Sequence, residues 1–166
     1  MASISRKICT FVCAAVLSVS TIVSAASSTT QGLSITPGAL EDISVSGSVT
    51  IANEDFSYND AGSHIASDAT TTLDYFMNSS GTEITAVSDT AFGSGMTVTV
   101  GISGGTATGS PSLQTGVALT DSAATVVSSA QDTALTGATI TYNVTVSSEH
   151  SGSAESKTIT WAIASP

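Results

Sequence analysis

Hydrophobic and polar residues alternate one by one through most of the chain. In the stretch from residue 138 to 146, Ala138, Ile140 and Tyr142 take every second position, with threonine and asparagine between them. Successive side chains of a β-strand point to opposite faces, so such a segment buries one face and exposes the other to solvent. This pattern predicts long strands at residues 43–51, 71–75, 96–102, 138–146 and 159–163, and short ones at 33–35, 84–87, 117–119 and 125–127.

The segments between these runs are rich in residues that form turns. Pro37-Gly38 and Gly104-Gly105 are turn signals, Gly47 predicts a bulge or a point of close approach within the first long run, and residues 101–112 predict a flexible loop. No stretch of useful length has the period of a helix. We therefore predict an all-β fold, an antiparallel two-sheet β-sandwich that forms a single domain over residues 33–166.

The first 25 residues have the build of a cleavable secretory signal peptide. Arg6 and Lys7 precede a mostly apolar run, which ends in small residues before a cleavage site after Ala25. The run is too short and wrongly flanked for a membrane-spanning helix. We expect residues 1–25 to be removed, residues 26–32 to form a flexible spacer, and the rest to be secreted. An uncleaved N-terminal anchor is the alternative.

Cysteine and charge narrow the classes of function. Cys9 and Cys13 both lie within the predicted signal, so the exported chain would have no disulfide, thiolate metal site or thiol nucleophile. The chain carries 13 acidic and 3 basic residues, and Lys157 is the only basic residue after Ala25. So acidic a surface repels phosphates, and we expect no nucleic acid partner and no membrane partner after signal removal.

Candidates for catalysis are few. The chain has two histidines, His64 and His150, and each lies in a stretch rich in serine and glycine that we interpret as a solvated turn. A serine hydrolase needs its histidine beside the nucleophile in a framed motif. We therefore predict that the protein is not an enzyme. A secreted hydrolase that uses one of these histidines is kept as an alternative.

One acidic segment could hold calcium. Oxygen ligands in a flexible turn suit this ion, although the spacing here does not match the EF-hand register, and any acidic turn contains similar residues. We expect no resident cofactor, with calcium as the open alternative. The residues that would hold it are Asn53, Asp55, Asn59 and Asp60, with Glu54 beside them.

Two segments carry a resemblance to a known family. Residues 158–163 read Thr-Ile-Thr-Trp-Ala-Ile and are followed by Ala-Ser-Pro. This resembles the second motif of WxL-type bacterial cell-surface domains, a T-x-T-W-x-L terminal strand with a short tail ending in proline. Residues 89–98, an aspartate and two glycines before Met-Thr-Val, are similar to the region of the family's first motif.

The match departs from the family at defined positions. Ile163 stands in place of the leucine of the second motif, and Met96 and Val98 replace the tryptophan and leucine of the first. The resemblance implies that Trp161, Ile163, Met96 and Val98 contact the ligand. From strand pattern alone, Trp161 shares a face with Ile159 and Ile163, which indicates core packing.

The resemblance implies a secreted, noncatalytic β-sandwich held noncovalently at the cell surface or cell wall. Its expected partners are peptidoglycan or other cell-surface proteins. A structural subunit of an extracellular fibre or matrix is the alternative, because an alternating Thr/Val sheet with few charges could pair edge to edge if an edge were uncovered.

Overall fold

A computed structural model describes residues 33–59, 62–79, 81–128 and 132–164. The predicted signal peptide (1–25) and spacer (26–32) lie outside the described residues. A compact unit begins at Thr36. The described residues form eleven strands: β1 Glu41–Ser46, β2 Ser57–Tyr58, β3 Ser63–Met77, β4 Glu83–Ser88, β5 Met96–Ser103, β6 Thr106–Thr108, β7 Ser112–Leu113, β8 Val117–Ala118, β9 Ala124–Ser128, β10 Thr133–Ser147 and β11 Ile159–Ala164.

The strands form two sheets in which the neighbours pair antiparallel. The larger sheet has the order β1-β3-β10-β5-β8, with β2 added beside β3 and β6 beside β10. The smaller sheet has the order β11-β4-β9-β7. The predicted fold class, an antiparallel two-sheet β-sandwich, is therefore confirmed. No helix among the described residues is long and apolar enough to cross a membrane.

The pairing of β3 with β10, each fifteen residues long, is the centre of the larger sheet. Inward side chains at every second position are buried, among them Leu73 on β3 and Ile140 on β10, both at 0% exposure. Each such side chain contributes about 1.5–3 kcal/mol by leaving water. The core cluster extends from these strands to Ile84 and Val126 of the smaller sheet.

Two β-bulges interrupt the long pair. On β3, Ala69 and Thr70 together lie opposite Thr141 of β10, and on β10 the pair 136–137 lies opposite Asp74. Each extra residue shifts the inward positions by one, so the buried face of β3 changes from Ala66 to odd-numbered residues from position 71 onwards.

Most of the predicted strands are confirmed. Residues 71–75, 96–102, 138–146 and 159–163 lie in β3, β5, β10 and β11. The shorter runs at 84–87, 117–119 and 125–127 coincide with β4, β8 and β9. Gly104 and Gly105 form the predicted turn, with φ of 67° and 81°.

Three expectations for local structure are wrong. Residues 33–35 form no strand, and residues 101–112 include β6, which pairs with β10 and is therefore no free loop. Residues 43–51 form a strand only up to Ser46. Gly47 has a φ of 81°, and the segment after it leaves the sheet. Its apolar residues still pack partly buried against the core, because they turn inward without pairing.

We predict that Leu73→Ala lowers the free energy of unfolding by about 2–5 kcal/mol, because it opens a cavity in a fully buried site. Phe76→Ala on the same strand is the matched control, since Phe76 is 46% exposed, and it should cost no more than about 1 kcal/mol. Urea unfolding of both variants measures this. An equal decrease in the free energy of unfolding for Leu73→Ala and Phe76→Ala would contradict the assignment of the buried and exposed faces of β3.

Candidate functional site

A cleft of about 1070 Å³ opens at one end of the sandwich. Its walls come from both sheets: inward residues of β1, β3, β5 and β10 on one side and of β11 on the other. Residues 47–56, which leave the larger sheet after β1, and residues 150–158, which precede β11, complete the rim. Ligand sites in proteins are clefts of this size, with mostly apolar walls and a few polar groups.

Three of the four predicted ligand-binding residues line this cleft. Met96 and Val98 lie on β5, and Trp161 lies on β11 in the other sheet. The fold thus brings together the two segments that resemble separate family motifs. Ile163 is not among the lining residues and packs half-buried against the core farther along β11.

Trp161 of β11 and Tyr142, an inward residue of β10, line the cleft from the two sheets. Burial raises the pKa of Tyr142 above its usual value of 10.0. The polar influence of the Trp161 indole lowers that pKa in part, and the negative charge of Asp68, opposite Tyr142 on β3, raises it. The ring of Trp161 forms a wall of the cleft and packs partly against the core.

The cleft also contains a buried hydroxyl without a hydrogen-bond partner in the described part of the chain. Thr71 is 2% exposed, it lines the cleft, and its Oγ1 makes no hydrogen bond there. A buried hydroxyl left in this state costs free energy, which a ligand with a polar group could recover.

Lys157, the only lysine or arginine after Ala25, makes its contacts at the rim of the cleft. The Nζ of Lys157 donates to Thr90 Oγ1 at 3.0 Å and to Ala91 O at 2.7 Å, and it lies 3.3 Å from Glu155 Oε2. Glu155 Oε1 in turn accepts from the backbone N–H of Gly93 at 2.8 Å. These contacts fasten the β4–β5 loop to the β10–β11 loop, so this cation stabilises the shape of the cleft.

The two histidines both line the cleft, in different settings. His150 lies in a turn as predicted, with Nδ1 3.3 Å from Ser94 O and Nε2 3.2 Å from Ser153 O. The placement of His64 in a turn is wrong: it is an exposed residue of β3, edge-on to Tyr58 with ring centroids 5.6 Å apart. Neither of these described contacts pairs a histidine with a serine hydroxyl or a carboxylate.

A G-x-S-x-G spacing occurs at residues 101–105. In hydrolases this motif turns from a strand into a helix and points its serine into the site. Here Ser103 ends β5 and the chain turns into β6, so the strand-turn-helix context of the motif is not present at this position.

Two of the candidate calcium ligands, Asp55 and Asn59, use their side-chain oxygens to accept hydrogen bonds from nearby residues of the chain. Asp55 Oδ2 accepts from the backbone N–H of Ala52 at 2.7 Å, and Asn59 Oδ1 accepts from the N–H and the hydroxyl of Ser63, each at 3.1 Å. Asn53 and Glu54 are exposed, and Asp60 lies outside the described residues. Among the residues described, no group of three or more His, Cys, Asp and Glu side chains could hold a metal ion.

We predict that stability falls as the pH rises above 10. Burial raises the pKa of both Tyr75 and Tyr142, so the folded protein keeps protons that the unfolded chain loses above pH 10. Unfolding then releases protons, so the contribution of these two tyrosines to the free energy of unfolding is fully present below pH 10 and declines between the unfolded and folded pKa values.

Urea unfolding between pH 8 and pH 11.5 measures this decline. Tyr142→Phe removes one of the two groups and should make the decline shallower. A free energy of unfolding that stays level or rises above pH 10 would contradict the burial of these hydroxyls.

Comparison with family models, with characterised proteins and with solved structures finds no match to this chain.

Proposed function

We propose that this protein is a secreted, noncatalytic module of a bacterial cell surface, held noncovalently at the envelope through the cleft that Trp161 lines. One observation carries the proposal. Met96 and Val98, at the position of one family motif, and Trp161, at the position of the other, lie far apart in sequence and line the same cleft. Their convergence is what a binding site assembled from both motifs requires.

The chemistry of the cleft suits a cell-wall polymer such as peptidoglycan. The ring of Trp161 and the side chains of Met96 and Val98 provide apolar walls, and the unpartnered hydroxyl of Thr71 provides a polar contact. A glycan strand offers both C–H faces and hydroxyl groups. Binding sites commonly combine a broad apolar surface with a few placed polar groups.

The noncatalytic part of the proposal rests on the environment of the histidines. The ring nitrogens of His150 face two backbone carbonyl oxygens, and His64 packs against Tyr58 at the surface. A general base needs its nucleophile within hydrogen-bond reach. In the described part of the chain, His64 packs against a tyrosine ring and His150 joins two loop segments through their carbonyl oxygens.

A second candidate function, a structural subunit of a fibre or matrix, is favoured by a different observation. β11 is the outermost strand of the smaller sheet and pairs only with β4 among the described strands. Its sequence, Ile-Thr-Trp-Ala-Ile-Ala, contains no charged residue and no proline. Charges and prolines are what edge strands use to prevent pairing with another chain.

We predict that Trp161→Ala weakens binding of the exported protein to purified bacterial peptidoglycan at least about tenfold, because it removes the aromatic wall of the cleft that Met96 and Val98 also line. Cosedimentation over a range of peptidoglycan concentrations measures the change. Thr160→Ala is the matched control, since Thr160 is the neighbouring residue on the exposed face. It should bind as the wild type does.

Circular dichroism separates loss of binding from loss of folding. Both variants should show the same strand signal and a cooperative thermal melt. Failure of the folded wild-type protein to sediment with peptidoglycan would overturn wall binding. Equal binding by the wild type and Trp161→Ala would remove the cleft from the proposal.

A further inference from the structure

The outer edge of β11 forms no strand pairing among the described residues, although β1 of the larger sheet approaches β11. The edges of the larger sheet differ from it: β1 carries Glu41 and Asp42, and β8 is only two residues long. The other edge of the smaller sheet, β7, is also two residues long. At six residues and without charge, β11 is the described edge least protected against another chain.

The chain also carries a segment with the pattern of an unpaired strand. Leu33 and Ile35 alternate with Ser34 and Thr36, and the two apolar side chains are 81% and 73% exposed. The described residues 33–40 form no regular structure. Exposed apolar residues that share one face of an extended segment indicate a surface that another molecule covers.

Charge allows these two surfaces to meet in an otherwise acidic protein. The formal net charge of the chain is −10, so two copies repel one another over most of their surfaces. Residues 26–40 contain no charged side chain, and neither does β11. A contact between these two segments would therefore place no like charges directly opposite each other.

We propose that the outer edge of β11 binds residues 33–36 of a second copy of this chain as an added strand. Backbone hydrogen bonds to β11 hold the strand, and Leu33 and Ile35 face inward beside Ile159 and Trp161 at the cleft. Ser34 and Thr36 then face outward, as Thr160 and Ala162 do. The inference rests on the second proposed function, the structural subunit.

The symmetry of this contact has a consequence for assembly. The donor segment and the acceptor edge are different surfaces of one molecule, so each copy can donate to one neighbour and accept from another. Such a heterologous contact produces an open filament, or a ring if the rotation closes. The product is therefore a chain of copies whose length increases with protein concentration.

Analytical ultracentrifugation and negative-stain electron microscopy of the exported protein test the assembly. The wild type should form oligomers whose size increases with concentration. Leu33→Asp combined with Ile35→Asp should weaken self-association at least about a hundredfold, because it places charge on both inward positions. Both residues are exposed, so this variant should keep the wild-type melting temperature.

Crosslinking tests which surfaces meet. The chain has no cysteine after Cys13, so one introduced cysteine is unique in the exported protein. A mixture of Ser34→Cys and Ala162→Cys, treated with a short bismaleimide, should give a heterodimer. Asn143→Cys is the matched control: Asn143 is also exposed, but it lies on β10, which has paired strands on both sides. A mixture of Ser34→Cys and Asn143→Cys should give several-fold less heterodimer.

The outcomes separate this inference from wall binding. A wild type that stays monomeric at every concentration, or equal crosslinking to positions 162 and 143, overturns the inference, whether or not the protein sediments with peptidoglycan. Oligomers that the double aspartate variant loses, together with crosslinking preferred at position 162, support it even if wall binding fails.

Discussion

Burial of a single face along the antiparallel pair of β3 and β10 is the constraint on which the rest of this structure depends. Each strand has fifteen residues, and the inward positions of both are occupied by residues such as Leu73, Ile140 and Val144. With no cysteine after Cys13, the predicted exported chain has no disulfide to hold it together. The inward face must then provide most of the stability, and the outward face of β10 can consist largely of threonine.

The cleft lies at the end of the sandwich where β1 stops and the two sheets no longer cover each other. Beyond Ser46 the chain leaves the edge of the larger sheet at Gly47, and β11 is the last strand of the smaller sheet, so the two layers are not closed over one another there. Tyr142 of the larger sheet and Trp161 of the smaller sheet both line the cleft at this point, and the contacts of Lys157 hold the loops around it. The cleft therefore lies beside an edge strand, β11, that pairs only with β4 among the described strands.

The strands were predictable from the sequence wherever alternation was strict, and the cleft was predictable only in part. β5, β10 and β11 follow the two-residue period closely. The first half of β3 does not, because the bulge at Ala69 and Thr70 shifts its buried face by one residue. Met96, Val98 and Trp161 could be identified from a family resemblance. The presence of Tyr142 in the same cleft as Trp161 could not, since it depends on which strands face each other across the sandwich, and local pattern does not encode that.

The position of Trp161 as a half-buried wall of an open cleft is the central claim, and acrylamide quenching of its fluorescence tests it most directly. Trp161 is the only tryptophan in the chain, so the signal reports a single site. In a monomeric sample of the exported protein, for which the Leu33→Asp/Ile35→Asp variant serves, the account predicts a quenching constant between those of a buried and a free indole. A constant as low as that of a fully buried indole would contradict the open cleft, and one as high as that of free tryptophan would contradict the packing of the Trp161 ring against the core.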